Sequence, residues 1–446
     1  MGAIYSAVRV VLRAAVRVFY GEVEVTGAEH MPASGPTIIA CNHPNSIVDP
    51  LLLGVITDRP IAFCARDGLF KIPGFGRVLR AVGAIPIRRR SDHGGAAVDN
   101  AAAFAACGEV LGRGGVMAIF PEGKTHGHLR IEPIKTGVAR IAVETGAQVG
   151  VRIVPVGITY LVRHAFRSDI HVAFGPPIAV PTDGTGAVQA LTLRIGEALR
   201  ELAVHIERTE DERFIAQVTA IVVGIRADGG LDVGGQSPAE RTALVRRVLD
   251  AYRWLNAVDP RRTLELRAQI EEYMEEREAL GLGGEKPALQ HRGERRLGLA
   301  GWKRWLFLGL GAPLALFGLV TSIGPAILLR FAMGWLRLST DRIAFFKLVA
   351  GAVIFGAAYA VQTYVVWRLL GAVEAALVGV LLVPAALFAR RYLVETRAHR
   401  LQLRSLGAWW AGGRLGRLRA ARQSLTAELA ELRDRYLEHL ARRESP

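Results

Sequence analysis

The chain predicts an α/β domain, a mixed sheet flanked by helices. After it come a helical linker, a C-terminal α-helical membrane hairpin and a basic helical tail. Three observations predict this. Apolar runs at Thr37–Cys41, Ile61–Cys64, Gly83–Ile87, Val116–Phe120, Val151–Thr159 and His171–Phe174 are continuous rather than alternating, as strands buried on both faces are. Helix-like segments fall between and after them, at Ala96–Leu111, Thr136–Thr145 and Val188–Ile206, and such alternation marks an α/β layer. Near the C-terminus, Phe345–Val366 and Leu369–Phe388 each have about the 20 residues that a bilayer core requires.

Taken in order, residues 1–24 place Ile4, Val8, Val11, Leu12, Val16 and Phe19 at helical spacing, with Arg9, Arg13 and Arg17 on another face. That pattern is read as an interfacial amphipathic helix, its apolar face in the acyl boundary and its arginines among lipid phosphates; the alternative is a helix packed on the domain with a solvated basic face. Residues 25–206 hold the alternating runs. In sheets of this class ligands bind beyond the carboxyl ends of strands, and His43 and Glu122 each follow a strand end. Residues 207–300 are charged and helical, with periodic stretches at Pro238–Asn256 and Arg262–Leu280 and glycine-rich breaks. They read as a linker or accessory subdomain. Residues 301–389 form the membrane region. Its first segment, Trp305–Leu329, is interrupted by Pro313 and Pro325 and has cations on both sides: Lys303 and Arg304 before, Arg330, Arg337 and Arg342 after. Both flanks therefore prefer the cytosol, so 305–329 is read as re-entrant or interfacial, with two spans at 345–366 and 369–388. Glu374, inside the second span, fits an interface or a helix–helix contact. The tail, 390–446, has 13 Arg against 6 acidic residues and falls on the cytosolic side with the α/β domain. Leu425, Leu429, Leu432, Tyr436 and Leu440 line one face of a helix there, which suits a short coiled coil, hence an oligomer through 415–440, or docking on the protein itself.

Composition supports this division. Apolar residues make up 51% of the 446, and the mean hydropathy is +0.25, high for a chain wholly in water. The net charge of +15 suggests an anionic partner. Without zinc-finger spacing or interleaved aromatics, that partner is an anionic phospholipid membrane rather than nucleic acid. The three cysteines, Cys41, Cys64 and Cys107, form no Cys-x-x-Cys and imply no disulfide framework. Cys41 ends an apolar run and reads as core.

The chemistry starts at Asn42-His43-Pro44-Asn45-Ser46-Ile47-Val48-Asp49. A histidine and a carboxylate so spaced suit general-base catalysis, the carboxylate orienting the imidazole. A capping asparagine and a satisfied histidine at a strand end explain the same residues equally well. No Gly-x-Ser-x-Gly elbow or well-placed cysteine supplies a protein nucleophile, so a base here would act on a substrate hydroxyl. Further segments follow: Gly83-Ala84-Ile85-Pro86-Ile87-Arg88-Arg89, then Phe120-Pro121-Glu122-Gly123-Lys124-Thr125-His126, Ile134-Lys135-Thr136-Gly137 and Val154-Pro155-Val156-Gly157. In order and spacing these resemble the four blocks of the glycerolipid acyltransferase (PlsC-like) superfamily, over roughly residues 25–206.

The resemblance implies a membrane-bound O-acyltransferase. It would move a fatty acyl group from a thioester donor, acyl-CoA or acyl carrier protein, to the hydroxyl of glycerol 3-phosphate or 1-acylglycerol 3-phosphate in phospholipid biosynthesis. It implies His43 as general base and Asp49 as its partner. The family has four residues between the two and this chain has five, an excess that the loop before the Asp49 helix can absorb; with Asp49 turned away, Asn45 or Ser46 would substitute. The form His-x-Asn-x-x-Val-Asp-Pro is similar to the subgroup that acylates glycerol 3-phosphate or dihydroxyacetone phosphate in fungi. Arg89, with Arg88 beside it, matches the arginine that takes the acceptor phosphate, although a basic run is also what a solvated loop looks like. Glu122 and Gly123 match the acceptor-holding pair, with Glu122 on a glycerol hydroxyl or positioning Lys124. Lys124, Thr125 and Lys135 complete the substrate set, Gly137 permits close approach or simply starts a helix, and Val154 and Pro155 match an acyl-groove strand. No cofactor or metal is implied, and His126, His128, His164 and His171 show no metal-ligand spacing. A non-catalytic lipid-binding scaffold is the alternative from another class.

Overall fold

The computed structural model describes residues 3–88, 98–160, 168–181, 186–228, 237–279, 301–335, 340–407 and 414–444. These fall into two compact units. One comprises Met1–Glu212, Ser237–Ala243 and Thr340–Phe345; the other comprises Arg213–Gln236, Leu244–Ser339 and Phe346–Pro446.

The first unit is built on a sheet. Helix α1 (Ala3–Phe19) leads into β1 (Val23–Thr26) and β2 (Thr37–Cys41). Then come α2 (Val48–Ile56), β3 (Ile61–Arg66), α3 (Phe75–Ala81), β4 (Ile85–Ile87), α4 (Ala101–Gly112), β5 (Val116–Ile119), α5 (Gly137–Val149), β6 (Arg152–Tyr160), β7 (Ile170–Phe174), β8 (Ile178–Ala179) and α6 (Ala187–Leu202). The strand order is β1-β7-β6-β2-β5-β3-β4, with β8 also on β6. Strands β6, β2, β5, β3 and β4 run parallel, and β6 meets β7 and β8 antiparallel, so the sheet is mixed. All six apolar runs are strands. β2 and β5 are buried along their whole length and β6 along all but its first residue, which is why their sequences lack alternation. Val154 and Pro155 sit in the middle of this sheet beside Ile39 and Ala40 and are buried. Pro155 is tolerated in a central strand because β8 pairs with β6 only at 152–153 and β7 only from 156 onward, so its missing N–H falls where the neighbour changes.

Helix α1 departs from the membrane-surface expectation. Val16 and Phe19, with Tyr20 just beyond the helix, are buried. Arg9 donates to Thr57 O, and Arg13 donates to Val55 O at 3.3 Å. Those carbonyls close the C-terminal end of α2, where unpaired C=O groups and the helix dipole attract cations. Arg9 and Arg13 thus serve the fold, fastening α1 to α2.

The second unit is helical: most of α7 (Thr209–Asp228) and α8 (Pro238–Val258), then α9 (Pro260–Ala279), α10 (Gly301–Trp335), most of α11 (Thr340–Leu370), α12 (Ala372–Gly407) and α13 (Arg414–Glu444). The segment expected to be broken at 305–329 is one unbroken helix, α10, that contains both prolines. Phe307–Trp335, Val349–Leu370 and Ala372–Leu393 are each long and apolar enough to cross a membrane. The tail does not stand apart. α13 docks on α8 and α9, with Arg262 paired to Glu428 at 2.8 Å and the Trp254 and Tyr436 rings 5.6 Å apart. Leu418 and Leu425 are buried. Of the two readings of the leucine stripe, docking on the chain's own helices is the one seen.

Candidate active site

Parallel strands β2, β5, β3 and β4 bring their carboxyl ends to one edge. The β2/β5 register pairs Ala40 with Ile119, and continuing it three residues sets His43 opposite Glu122. There the His43 backbone N–H donates to Glu122 Oε1 at 2.8 Å, and the imidazole stacks on Phe120 with ring centroids 4.0 Å apart. Just before His43, Asn42 accepts from Ile158 N–H at 2.7 Å and donates to Ile158 O at 3.0 Å, extending the sheet through a side chain.

His43 Nδ1 lies 2.9 Å from Asp49 Oδ2. The five-residue spacing is absorbed as expected. Ser46 adopts φ 46°, the only positive φ of a non-glycine among the described residues, and Asp49 then falls in the first turn of α2. Asp49 is wholly buried and takes three donors: His43, the Asn45 N–H at 2.8 Å, and the Tyr160 hydroxyl on Oδ1 at 2.7 Å. A carboxylate that accepts at both oxygens compels Nδ1 to carry the proton, and this leaves Nε2 as the acceptor. The Asn45 side chain is not a substitute orienter; it donates to Tyr20 Oη at 3.3 Å. Tyr20 and Tyr160 are 5.8 Å apart, so α1, β6 and α2 meet behind the dyad. Burial, reinforced by the Asp49 charge, pushes both phenols above their ordinary value and keeps them protonated. Burial and the nearby carboxylates raise the Cys41 thiol in the same way, so it offers no thiolate nucleophile.

Glu122 differs from expectation. It is 1% exposed, and Oε2 accepts from the Glu132 N–H at 2.9 Å and from His126 Nε2. With His43 N–H on the other oxygen, its carboxylate is taken up by the protein and holds the two loops together. Lys124 is not its partner; Lys124 Nζ lies 3.3 Å from Glu132. Gly123 has φ 69°, and a Cβ there would fall on the Lys135 side chain, so the glycine admits that ammonium close to the loop. Thr125 is half-buried in the same loop, and Gly137 opens α5. Arg88 stands exposed at the end of β4, its backbone held by both groups of the Asn100 amide at 2.9 and 3.1 Å. It lies three strands from β2, roughly 14 Å at ordinary strand spacing. Arg89 lies outside the described residues.

Asn42, Tyr20, Tyr160 and His126 were not singled out for the site from the sequence. Asn42 and His126 left a trace, inside the segments around His43 and Glu122; Tyr20 and Tyr160 left none. Among the described residues no group of three or more His, Cys, Asp or Glu is disposed to hold a metal.

Residues 22–159 match the Acyltransferase family model. The glycerol-3-phosphate O-acyltransferase 1 of Saccharomyces cerevisiae is 37% identical over 91 residues, 20% of this chain and 12% of that protein. The 1-acyl-sn-glycerol-3-phosphate acyltransferase of Borreliella burgdorferi is 31% identical over 125 residues, 28% of this chain and 48% of that protein. This chain thus spans less than half the length of these relatives. A crystal structure of the 1-acyl-sn-glycerophosphate acyltransferase PlsC from Thermotoga maritima matches 44% of this chain and 77% of that one, with a TM-score of 0.35 at 21% identity.

Proposed function

We propose, from the acyltransferase-family domain that residues 22–159 carry, that this protein is a membrane-bound O-acyltransferase. It would move a fatty acyl group from a coenzyme A or acyl-carrier thioester to a hydroxyl of glycerol 3-phosphate, free or already acylated once. The observation that carries the reading is the His43–Asp49 bond at the carboxyl edge of the sheet, with Nε2 left as the base.

The acceptor hydroxyl gives its proton to His43 Nε2 as its oxygen attacks the thioester carbonyl. The tetrahedral intermediate collapses, the C–S bond breaks, and the thiolate takes the proton back from the imidazolium. Asp49 stabilises that imidazolium without taking its proton. Arg88 and Arg89 bind the acceptor phosphate, for which a guanidinium fork is well shaped, and Lys124 and Lys135 add positive charge at the Glu122 loop. Glu122 is a positioning residue, since its oxygens are already bonded.

The test is transfer of labelled acyl-coenzyme A by membrane fractions, with glycerol 3-phosphate and 1-acylglycerol 3-phosphate offered side by side. His43→Ala should lose at least ~100-fold, and the better acceptor names the reaction. Undiminished transfer by His43→Ala would remove His43 as the base, whereas no transfer to either acceptor by the native chain would favour the scaffold reading.

A further inference from the structure

We propose that two, not three, of the apolar helices cross the bilayer. α11 and α12 cross as a hairpin that turns at Gly371, while α10 enters and leaves on the face that carries α9 and α13 and lies against the phospholipid of that leaflet.

The chain itself constrains the number of crossings. α8 and α9 precede the apolar region and α13 follows it, yet they are packed together: Arg262 meets Glu428 at 2.8 Å, and Trp254 meets both the Tyr436 ring, at 5.6 Å, and the Arg435 guanidinium, at 6.0 Å. A chain that leaves one face after residue 279 and is back on it by 414 crosses an even number of times. Three crossings are therefore excluded, although three helices are long and apolar enough. Within the helical unit, Leu308 near the start of α10 meets Tyr392 of α12, and Leu329 near its end meets Gly351 of α11. Tyr392 and Gly351 are about equally far along the chain from the Gly371 turn, so both ends of α10 lie at the same end of the hairpin. α10 makes no net crossing, and α11 and α12 make the two.

The construction of α10 fits this assignment. Pro325 has no N–H, so the Thr321 carbonyl four residues earlier loses its helical donor. Gln362 of α11 supplies one at 2.9 Å, and Ser322 Oγ meets Tyr359 Oη at 2.9 Å. In hydrocarbon a proline within a helix is tolerated where neighbours satisfy the freed group in this way. Before Pro325 α10 runs along α12: Leu308 O accepts from Tyr392 Oη at 2.8 Å, and a Cβ on Gly318 would fall on Ala385 O. After it, Leu329 faces Gly351 of α11. The outward side, with Leu316, Val320, Ile327 and Phe331, is exposed. In sequence both ends are cationic, Lys303 and Arg304 before and Arg330, Arg337 and Arg342 after, which complements anionic headgroups on a single face. A crossing α10 would carry Arg337, Arg342 and Lys347 to the far side. The α11–α12 turn carries only Arg368 and Glu374.

Single cysteines at Ala279, Ser339, Ala372 and Leu437 of the full chain, with a membrane-impermeant maleimide on sealed vesicles before and after permeabilisation, test this. The parent chain is the blank, since Cys41 and Cys107 are buried and Cys64 half-buried. Thr340→Cys and Val373→Cys replace any variant at Ser339 or Ala372 that fails to accumulate. The expected result is Ala279→Cys, Ser339→Cys and Leu437→Cys on one face and Ala372→Cys alone on the other. Ser339→Cys labelling with Ala372→Cys would make α10 a crossing helix and overturn the assignment. So would Leu437→Cys opposite Ala279→Cys, or all four on one face. The readout does not depend on catalysis.

Discussion

Asp49 sits at the centre of a bonded set whose remotest member, Tyr160, no motif reaches. His43 and Asp49 are six positions apart and legible as a pair. Tyr160 is 111 positions from Asp49, at the end of a strand whose sequence shows only that it is buried. Tyr160→Phe removes one of three donors to a fully buried carboxylate. It should cost about 1–3 kcal/mol of stability and lower turnover while leaving the KM for the acceptor nearly unchanged. Because burial and the Asp49 charge raise the Tyr160 pKa, the deficit should stay constant across the pH–rate profile; a deficit that appears only at one end of the profile would place Tyr160 elsewhere in the mechanism. His126 behaves oppositely. Burial works against its charge, but the hydrogen bond and charge of Glu122, with Glu132 adding to them, outweigh that and raise its pKa above the ordinary 6.5. The sign follows from linkage: its stabilising contribution is fully present below the unfolded value and is lost as pH rises through the higher folded one. The gap in melting temperature between the native chain and His126→Gln should therefore be widest at acid pH and close as the pH rises. A gap independent of pH would mean that His126 acts by packing alone.

At the scale of elements, legibility followed burial. The six continuous apolar runs became strands, whereas Val23–Thr26, with Glu24 in the middle, and the two-residue Ile178–Ala179 were not picked out. An edge strand half-buried throughout shows no apolar run, and two residues show no period at all. The amphipathic pattern of α1 was plain, but what its faces meet was not, because a guanidinium suits a phosphate and a helix C-terminus equally well. α1 runs antiparallel to α2, with Arg9 and Arg13 at the end of α2 and Tyr20 near its start, where Asp49 sits. The helix that carries the carboxylate is thus fastened at both ends. Replacing Arg9 and Arg13 together by Gln should destabilise the domain by about 1–2 kcal/mol, the scale of a lost C-terminal cation and its bonds, as read by thermal melting in detergent. An unchanged melting temperature would return these arginines to the lipid headgroups.

For the whole molecule, helices distant in sequence settle what composition left open. The stripe Leu425, Leu429, Leu432, Tyr436 and Leu440 suited a coiled coil between chains or a face docked on its own chain, and periodicity cannot separate the two, since both bury the same side of one helix. Here Leu425 is buried while Leu437, off the stripe, is exposed, and the Glu428 and Tyr436 partners come from α8 and α9. With α13 docked on its own chain, we predict that the detergent-solubilised chain has the mass of a monomer. Leu425→Arg places a charge where the wild-type side chain is 3% exposed, and without a partner it should cost at least about 2–4 kcal/mol. With α13 docked internally, that loss appears as a lower melting temperature at unchanged mass. If α13 instead joined two chains, light scattering would find a dimer in the native protein and a monomer in the variant, and the melting temperature would rise with protein concentration.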